Sequence, residues 1–267
     1  MPDPAATPDA VAATLAAIRA RAPLIHNITN FVVTNSTANA LLAVGASPAM
    51  VEGADEVADF AARADALVIN LGTMSPPRAA VIGLAVAAAR AAGVPWVLDP
   101  VAVGAIAPRA VLARALLAAR PAVVRGNGSE IAALTGGAGG RGVDSTAGAE
   151  AGPEAARRLA TEAGLVAAVT GAVDHVTDGR RMIAIANGHP MMTRVTGLGC
   201  TATALIGACL AVEADPLAAA AHGLAILGVA GEIAAARARG PGSLQMEILD
   251  ALYRLDADML RAMARLS

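Results

Sequence analysis

The segment Val195 to Ala202 (VTGLGCTA) places Gly197 and Gly199 on either side of Leu198, then Cys200, and runs straight into an apolar, helix-forming stretch. Glycines let a backbone approach a ligand closely. A helix that starts there offers free N–H donors and the positive end of its dipole. The matching guest is a phosphate, or the charge that develops in phosphoryl transfer. Glycines ahead of a helix also serve packing alone, and the absence of a following Gly-Lys-Ser/Thr excludes a P-loop. Cys200 would fall in the first helical turn, where a thiol pKa is expected to drop, favouring a role as proton acceptor. A small buried hydrophobe is the other reading of Cys200, and the one assigned to Cys209.

A second group is Arg125 to Glu130 (RGNGSE) at a predicted strand end. An arginine, an amide and a carboxylate on one loop suit nucleotide phosphates with hydrated Mg²⁺, which takes one or two carboxylates and keeps its waters. The same spacing, Asn127 with Glu130 three residues on, also fits a capping box, and spacing alone leaves both open. Asp99, in LDPVAVGA, is a second carboxylate on the same edge, or a turn residue before Pro100. From Pro23 to Met50, asparagines and threonines interleave with apolar residues. Buried, those groups need partners, so they either cap helices or line a pocket. His26 reads as a structural histidine, and the four histidines show no metal-ligand spacing.

The elements that position these residues alternate. Predicted strands are Leu67–Leu71, Pro95–Leu98, Ala122–Arg125 and Leu165–Thr170. His175–Thr177 and Met182–Ala186 flank the hairpin signal Asp178-Gly179. Predicted helices cover Pro77–Ala92 with Ser75 as cap, Gly152–Ala163, Cys200–Val212, Pro216–Arg239 and Ser243–Leu266, and Gly137–Ala151 reads as an exposed loop. This pattern predicts one α/β domain over residues 1–267, a mostly parallel central sheet with helices on both faces. Ligands then sit at the carboxyl ends of the strands, bringing Asn70, Asp99, Arg125 to Glu130 and Thr170 to one edge.

Composition narrows the function. Of 267 residues, 56% are hydrophobic and 16% charged, which excludes a disordered chain. A net charge of -2 and 1% aromatics argue against nucleic acid as a partner. The apolar stretch Thr201–Ala236 is interrupted by charges and rich in Ala and Gly, so it reads as two buried helices rather than a membrane span. Two cysteines nine residues apart on one helix cannot bridge each other, and no basic leader precedes the first helix-like segment; both suggest the cytoplasm.

In chain order, LIHNITNFVVTNSTANALLAVGASPAM, LDPVAVGA, RGNGSE, VTGAVDHVTDG and VTGLGCTATA resemble the hydroxyethylthiazole kinases of the ribokinase-like superfamily, from about Ala22 to the C-terminus. The resemblance implies phosphorylation of the hydroxyl of 4-methyl-5-(2-hydroxyethyl)thiazole by ATP and Mg²⁺, a step of thiamine salvage. It also implies a homotrimer with the thiazole near the subunit boundary. Carried over by motif, Gly197, Leu198 and Gly199 form an anion hole and Cys200 lies beside the substrate hydroxyl, where sugar kinases of the superfamily have Asp. Met50, the backbone at Gly197 and Asn27 would contact the thiazole. Arg125 and Thr170 would contact ATP, and Asp99 and Glu130 the Mg²⁺ region. Leu198 stands where the family often has Thr or Ser, so a hydroxyl contact is lost there. The scarcity of aromatics implies Met and aliphatic groups around the two ring systems. A pyrimidine or other small-alcohol kinase on this fold, and a binder without turnover, are the competing readings.

Overall fold

A computed structural model describes residues 3–136 and 151–267 of the chain. The chain begins with α1 (Pro8–Arg21), capped by the Thr7 hydroxyl. Then follow β1 (Leu24–Ile28), α2 (Thr34–Ala43), β2 (Ser47–Ala49), α3 (Val57–Ala61) and β3 (Ala66–Asn70). Next come α4 (Pro76–Ala92), β4 (Trp96–Asp99), α5 (Ala107–Ala118), β5 (Val123–Asn127), α6 (Gly128–Leu134), α7 (Ala151–Ala163) and β6 (Val166–Thr170). The hairpin β7 (Asp174–Thr177) and β8 (Met182–Ile185), a 3₁₀ turn over Pro190–Arg194, α8 (Leu198–Leu210), α9 (Pro216–Ala235), α10 (Pro241–Arg254) and α11 (Ala257–Met263) complete it.

The eight strands form one sheet in the order β2-β1-β3-β4-β5-β6-β7-β8. The first six run parallel, β7 pairs antiparallel with β6, and β8 pairs antiparallel with β7. Successive residues of a strand point to opposite faces. Ala66 and Val68 join the core under α1, α2 and α8 to α11, whereas Leu67 and Ile69 join the core under α3 to α7. Helices cover both faces, as a parallel sheet requires.

The expected strands and the Asp178-Gly179 hairpin are present, the turn using a left-handed Gly179 (φ 91°). Two strands escaped the sequence pattern. β1 (LIHNI) carries His and Asn among its apolar residues, and β2 (SPA) is three residues with a proline, tolerated because it is an edge strand. The single helix expected over Ser243–Leu266 is two. Leu255 turns to extended backbone (ψ 126°) and Asp256 caps a new helix by accepting from Met259 N–H at 2.8 Å. The loop expected at Gly137–Ala151 lies outside the described residues, except that Ala151 begins α7. Helix α9 is long and apolar enough to cross a membrane, yet 89% of its most apolar window is buried in the protein, so it is a core helix. Both cysteines are free thiols.

Candidate functional site

Six parallel strands point their carboxyl ends at one rim. Met50 follows β2, Thr29 and Asn30 follow β1, and Asn70, Asp99, Asn127 and Thr170 end β3, β4, β5 and β6. Register aligns them, with Asn70 opposite Asp99 and Asn127 opposite Thr170. Above this rim starts α8. Gly197 is its N-cap with φ 82°, a conformation costly for any other residue, and a Cβ there would collide with Val33. The first helical bond runs from Thr201 N–H to the Gly197 carbonyl at 2.9 Å. The N–H groups of Leu198, Gly199 and Cys200 therefore precede the intrahelical ladder and, among the described residues, are left for an anion.

Arg125 reaches from β5 to this helix start. Its guanidinium lies so close to Gly199 that an added Cβ would stand 2.6 Å from one terminal nitrogen. It donates to the Thr170 hydroxyl and lies 3.9 Å from the Asp99 carboxylate, and its buried Nε has no protein partner among the described residues. Helix N–H groups, the positive helix end and a guanidinium thus converge on one point, an arrangement suited to transferring phosphoryl oxygens.

Cys200 stands on the same turn, within a network the sequence pattern did not resolve. The two Asn30 Nδ2 protons go to Cys200 Sγ at 3.4 Å and Asn70 Oδ1 at 2.9 Å. Asn70 Nδ2 donates to Asp99 Oδ2 at 2.9 Å, and Thr203 Oγ1 donates to the same oxygen at 2.8 Å. Thr203 lies three residues beyond Cys200 on the same helix face, the one cue by which spacing could have found it. Asn30 was only one of many amides in its run. The network overturns the expectation of an acidified thiol. Burial, then the neighbouring Asp99 charge, push the Cys200 pKa up to about 12, against the smaller pull of Arg125 and the two asparagines. The helix end is present, but a dry site beside a carboxylate outweighs it. Asp99, 1% exposed, is itself pushed up to about 6 by burial, with Arg125 acting the other way.

Glu130 does cap. Asn127 Oδ1 accepts from Glu130 N–H at 3.0 Å while Asn127 N–H donates to Glu130 Oε2 at 2.9 Å. Its other oxygen accepts from Ala102 N–H at 2.9 Å. Glu130 is therefore a 5% exposed residue in the first turn of α6 rather than a loop carboxylate. Among the described residues, no three His, Cys, Asp or Glu side chains gather to hold a metal alone. A nucleotide-bound Mg²⁺ asks for less, one or two carboxylates plus waters and phosphates. Asp99, held by neutral donors at a strand end, and Glu130, whose oxygens each retain a lone pair, fit that demand.

A cavity of about 590 Å³ opens on the β6–β7 side of Cys200. Arg125, Thr170 and Gly199 line its inner end, and Met192, Leu224 and Leu227 its apolar wall. Asp174, unremarked in the sequence, also lines it. Burial pushes its pKa to about 6, against the Gly171 N–H and Arg125. Met50 stands on the opposite, β1–β2, side, half-buried. Asn27 is withdrawn from the rim. It is fully buried and its Nδ2 donates to the Ile25 carbonyl at 2.9 Å, so Asn30 is the amide that reaches Cys200.

The chain matches the model of the hydroxyethylthiazole kinase family over residues 15–258. It is 68% identical to the hydroxyethylthiazole kinase of Granulibacter bethesdensis over 252 residues, 94% of this chain and 92% of that one. With the Cereibacter sphaeroides hydroxyethylthiazole kinase it shares 54% over 250 residues, 93% and 95% of the two chains. The solved hydroxyethylthiazole kinase structure from Pyrococcus horikoshii superimposes with a TM-score of 0.90 at 41% identity, covering 96% of this chain and 98% of that one. A Staphylococcus aureus pyridoxal kinase solved with pyridoxal (TM-score 0.58, 16% identity, 78% and 87% covered) shares the fold.

Proposed function

The chain belongs to the hydroxyethylthiazole kinase family, and from that premise we propose that it transfers the γ-phosphoryl group of ATP to the hydroxyl of 4-methyl-5-(2-hydroxyethyl)thiazole, in thiamine salvage. The observation that carries this reading is the convergence of the α8 N-terminus, Arg125 and Cys200 between an open cavity and the Met50 rim.

ATP occupies the 590 Å³ cavity, its rings against Met192, Leu224 and Leu227 and its phosphates toward Arg125, Thr170 and Gly199. The thiazole alcohol lies on the other side, by Met50, with its hydroxyl at Cys200. The free N–H groups of Leu198, Gly199 and Cys200 receive the transferring phosphoryl oxygens, with charge stabilised by the guanidinium. Asp99 and Glu130 are the residues that would hold a Mg²⁺, which would supply charge neutralisation on the phosphates. A loose transition state keeps the alcohol proton until late, so a thiol that is protonated in the resting enzyme suffices to orient the hydroxyl. Catalysis is then mostly positioning and electrostatics rather than base strength.

Assembly as a homotrimer completes the reading. Phe31 (72% exposed), Val32 (64%) and Leu42 (58%), all in the Pro23–Met50 run, are exposed apolar side chains that a subunit contact would cover. A monomer in sedimentation at micromolar concentration would refute this part. The folded α/β domain and the free thiols suit a cytoplasmic enzyme. The activity is tested by coupled ADP release with a panel of thiazole, pyrimidine and sugar alcohols. Turnover is expected with the thiazole alcohol; preference for a hydroxymethylpyrimidine, or binding without ADP release, would overturn the assignment.

A further inference from the structure

Arg78, the third residue of α4, is buried, and nothing in the phosphoryl-transfer scheme uses it. Its side chain ties three separate segments together. One terminal nitrogen donates both to the Thr29 carbonyl after β1 and to Glu52 Oε1 after β2, the latter at 2.7 Å. The other donates at 3.2 Å to the hydroxyl of Thr73 after β3. Thr73 Oγ1 also accepts from Phe31 N–H at 3.2 Å, and Thr73 holds left-handed backbone (φ 45°). The guanidinium face lies 5.0 Å from the centre of the Phe31 ring.

These contacts bracket two groups already placed at the site. Between Thr29 and Phe31 lies Asn30, whose amide donates to Cys200 Sγ. Two residues before Glu52 lies Met50, on the rim assigned to the thiazole. Lysine could not replace this fork, because one ammonium cannot span a carbonyl, a carboxylate, a hydroxyl and a ring face at once. We propose that Arg78 is a positioning residue for the alcohol-binding half of the site, setting the distance between the Asn30–Cys200 pair and the Met50 rim. The nucleotide half, built on β5, β6 and α8, does not depend on it. The inference rests on the thiazole-kinase reading for its substrate, but its geometric content does not.

The test uses the purified full-length protein and its Arg78→Met, Arg78→Lys and Glu52→Gln variants. Two quantities are read, steady-state KM for each substrate and the rate of Cys200 alkylation by iodoacetamide, mapped by mass spectrometry. Cys209 is fully buried, so the Cys200 signal is distinct. Arg78→Met is expected to raise KM for the thiazole alcohol by about tenfold or more and to leave KM for ATP within about twofold. It should also change the alkylation rate by about threefold or more, through Asn30. Arg78→Lys should recover only part of the KM, and Glu52→Gln should shift it in the same direction but less. A fall in melting temperature with both KM values and the alkylation rate unchanged would make Arg78 merely structural and overturn the proposal, as would equal rises in both KM values. If Arg78→Met does not fold, Thr73→Ala and Glu52→Gln carry the same comparison. If the wild-type enzyme releases no ADP with the thiazole alcohol, the proposed function fails, and the alkylation rate alone decides whether Arg78 sets Asn30 against Cys200.

Discussion

Replacing Cys200 tests whether the thiol acts as a base. With its pKa pushed up to about 12, only about one thiol in 10⁴ is ionised at pH 8, and forming the thiolate costs roughly 5 kcal/mol. A positioned base contributes about 10² to 10⁴ in rate. Those two factors nearly cancel, so Cys200→Ala should lose about tenfold or less in kcat at pH 8. The remaining loss reflects the hydroxyl's orientation rather than its deprotonation. Cys200→Asp should gain turnover, because a carboxylate there meets the α8 N-terminus and is largely ionised at pH 8 even beside Asp99. It should also lower the melting temperature, since two carboxylates then share a buried pocket. Coupled ADP release from pH 6.5 to 9.5 separates the cases. The ratio of wild-type to Ala kcat should stay flat. A ratio rising tenfold per pH unit, or a loss beyond about 10³ in the Ala variant, would refute the argument and restore a thiolate base.

Gly199→Ala puts a methyl group 2.6 Å from the Arg125 guanidinium; KM for ATP should rise by about tenfold or more with the fold intact by circular dichroism. Glu130→Gln leaves one acceptor oxygen for the two N–H groups of Ala102 and Asn127, so chemical denaturation should show a loss of about 1–2 kcal/mol alongside reduced turnover. Full activity in that variant at low Mg²⁺ would confine Glu130 to capping. Asp99 carries a raised pKa, about 6 against 3.8, so its contribution to stability is complete below about pH 4 and is lost as pH rises through 6, a change of roughly 3 kcal/mol. Asp99→Asn should therefore melt higher than wild type at pH 8 in EDTA, with the gap closing by pH 4, while turnover falls at every pH; a gap independent of pH would show that Asp99 does not titrate in that range.

What the sequence disclosed was governed by locality. Strands such as LVINL are continuous apolar runs because both faces are covered, so pattern alone finds them. LIHNI is nearly as buried, but His26 Nε2 and Asn27 Nδ2 are bonded to the Val51 and Ile25 carbonyls, contacts invisible to a hydropathy pattern. Gly197 and Gly199 announced the helix start because a turn and a close approach need glycine. What each approaches, Val33 and Arg125, lies more than seventy residues away in the chain. The Cys200 thiol departs from its expected acidity for the same reason. Its helix position is local information, whereas Asp99 and the burial that dominate its pKa come from the packed sheet. Arg78 left no trace, because a surface arginine and a buried clamp look alike in a helix's first turn.

Helix α9 would be a hazard if it stood alone in water, twenty residues of mostly Ala, Leu and Gly with the length of a membrane span. Ribosomal synthesis runs from the N-terminus, and all eight strands end by Ile185, before Pro216 is added. The strands β5 to β8 on which α9 packs, together with α1 and α8, have thus been translated before the segment leaves the ribosome, and α10, which also packs on it, follows. Translation takes seconds for tens of residues, whereas collapse of a chain this size takes well under a millisecond. The order of elements along the gene product therefore gives the greasiest helix a docking surface on the sheet, α1 and α8 as it emerges, with α10 closing over it afterwards. A circular permutation that moved α9 ahead of β1 would keep every native contact and remove that protection.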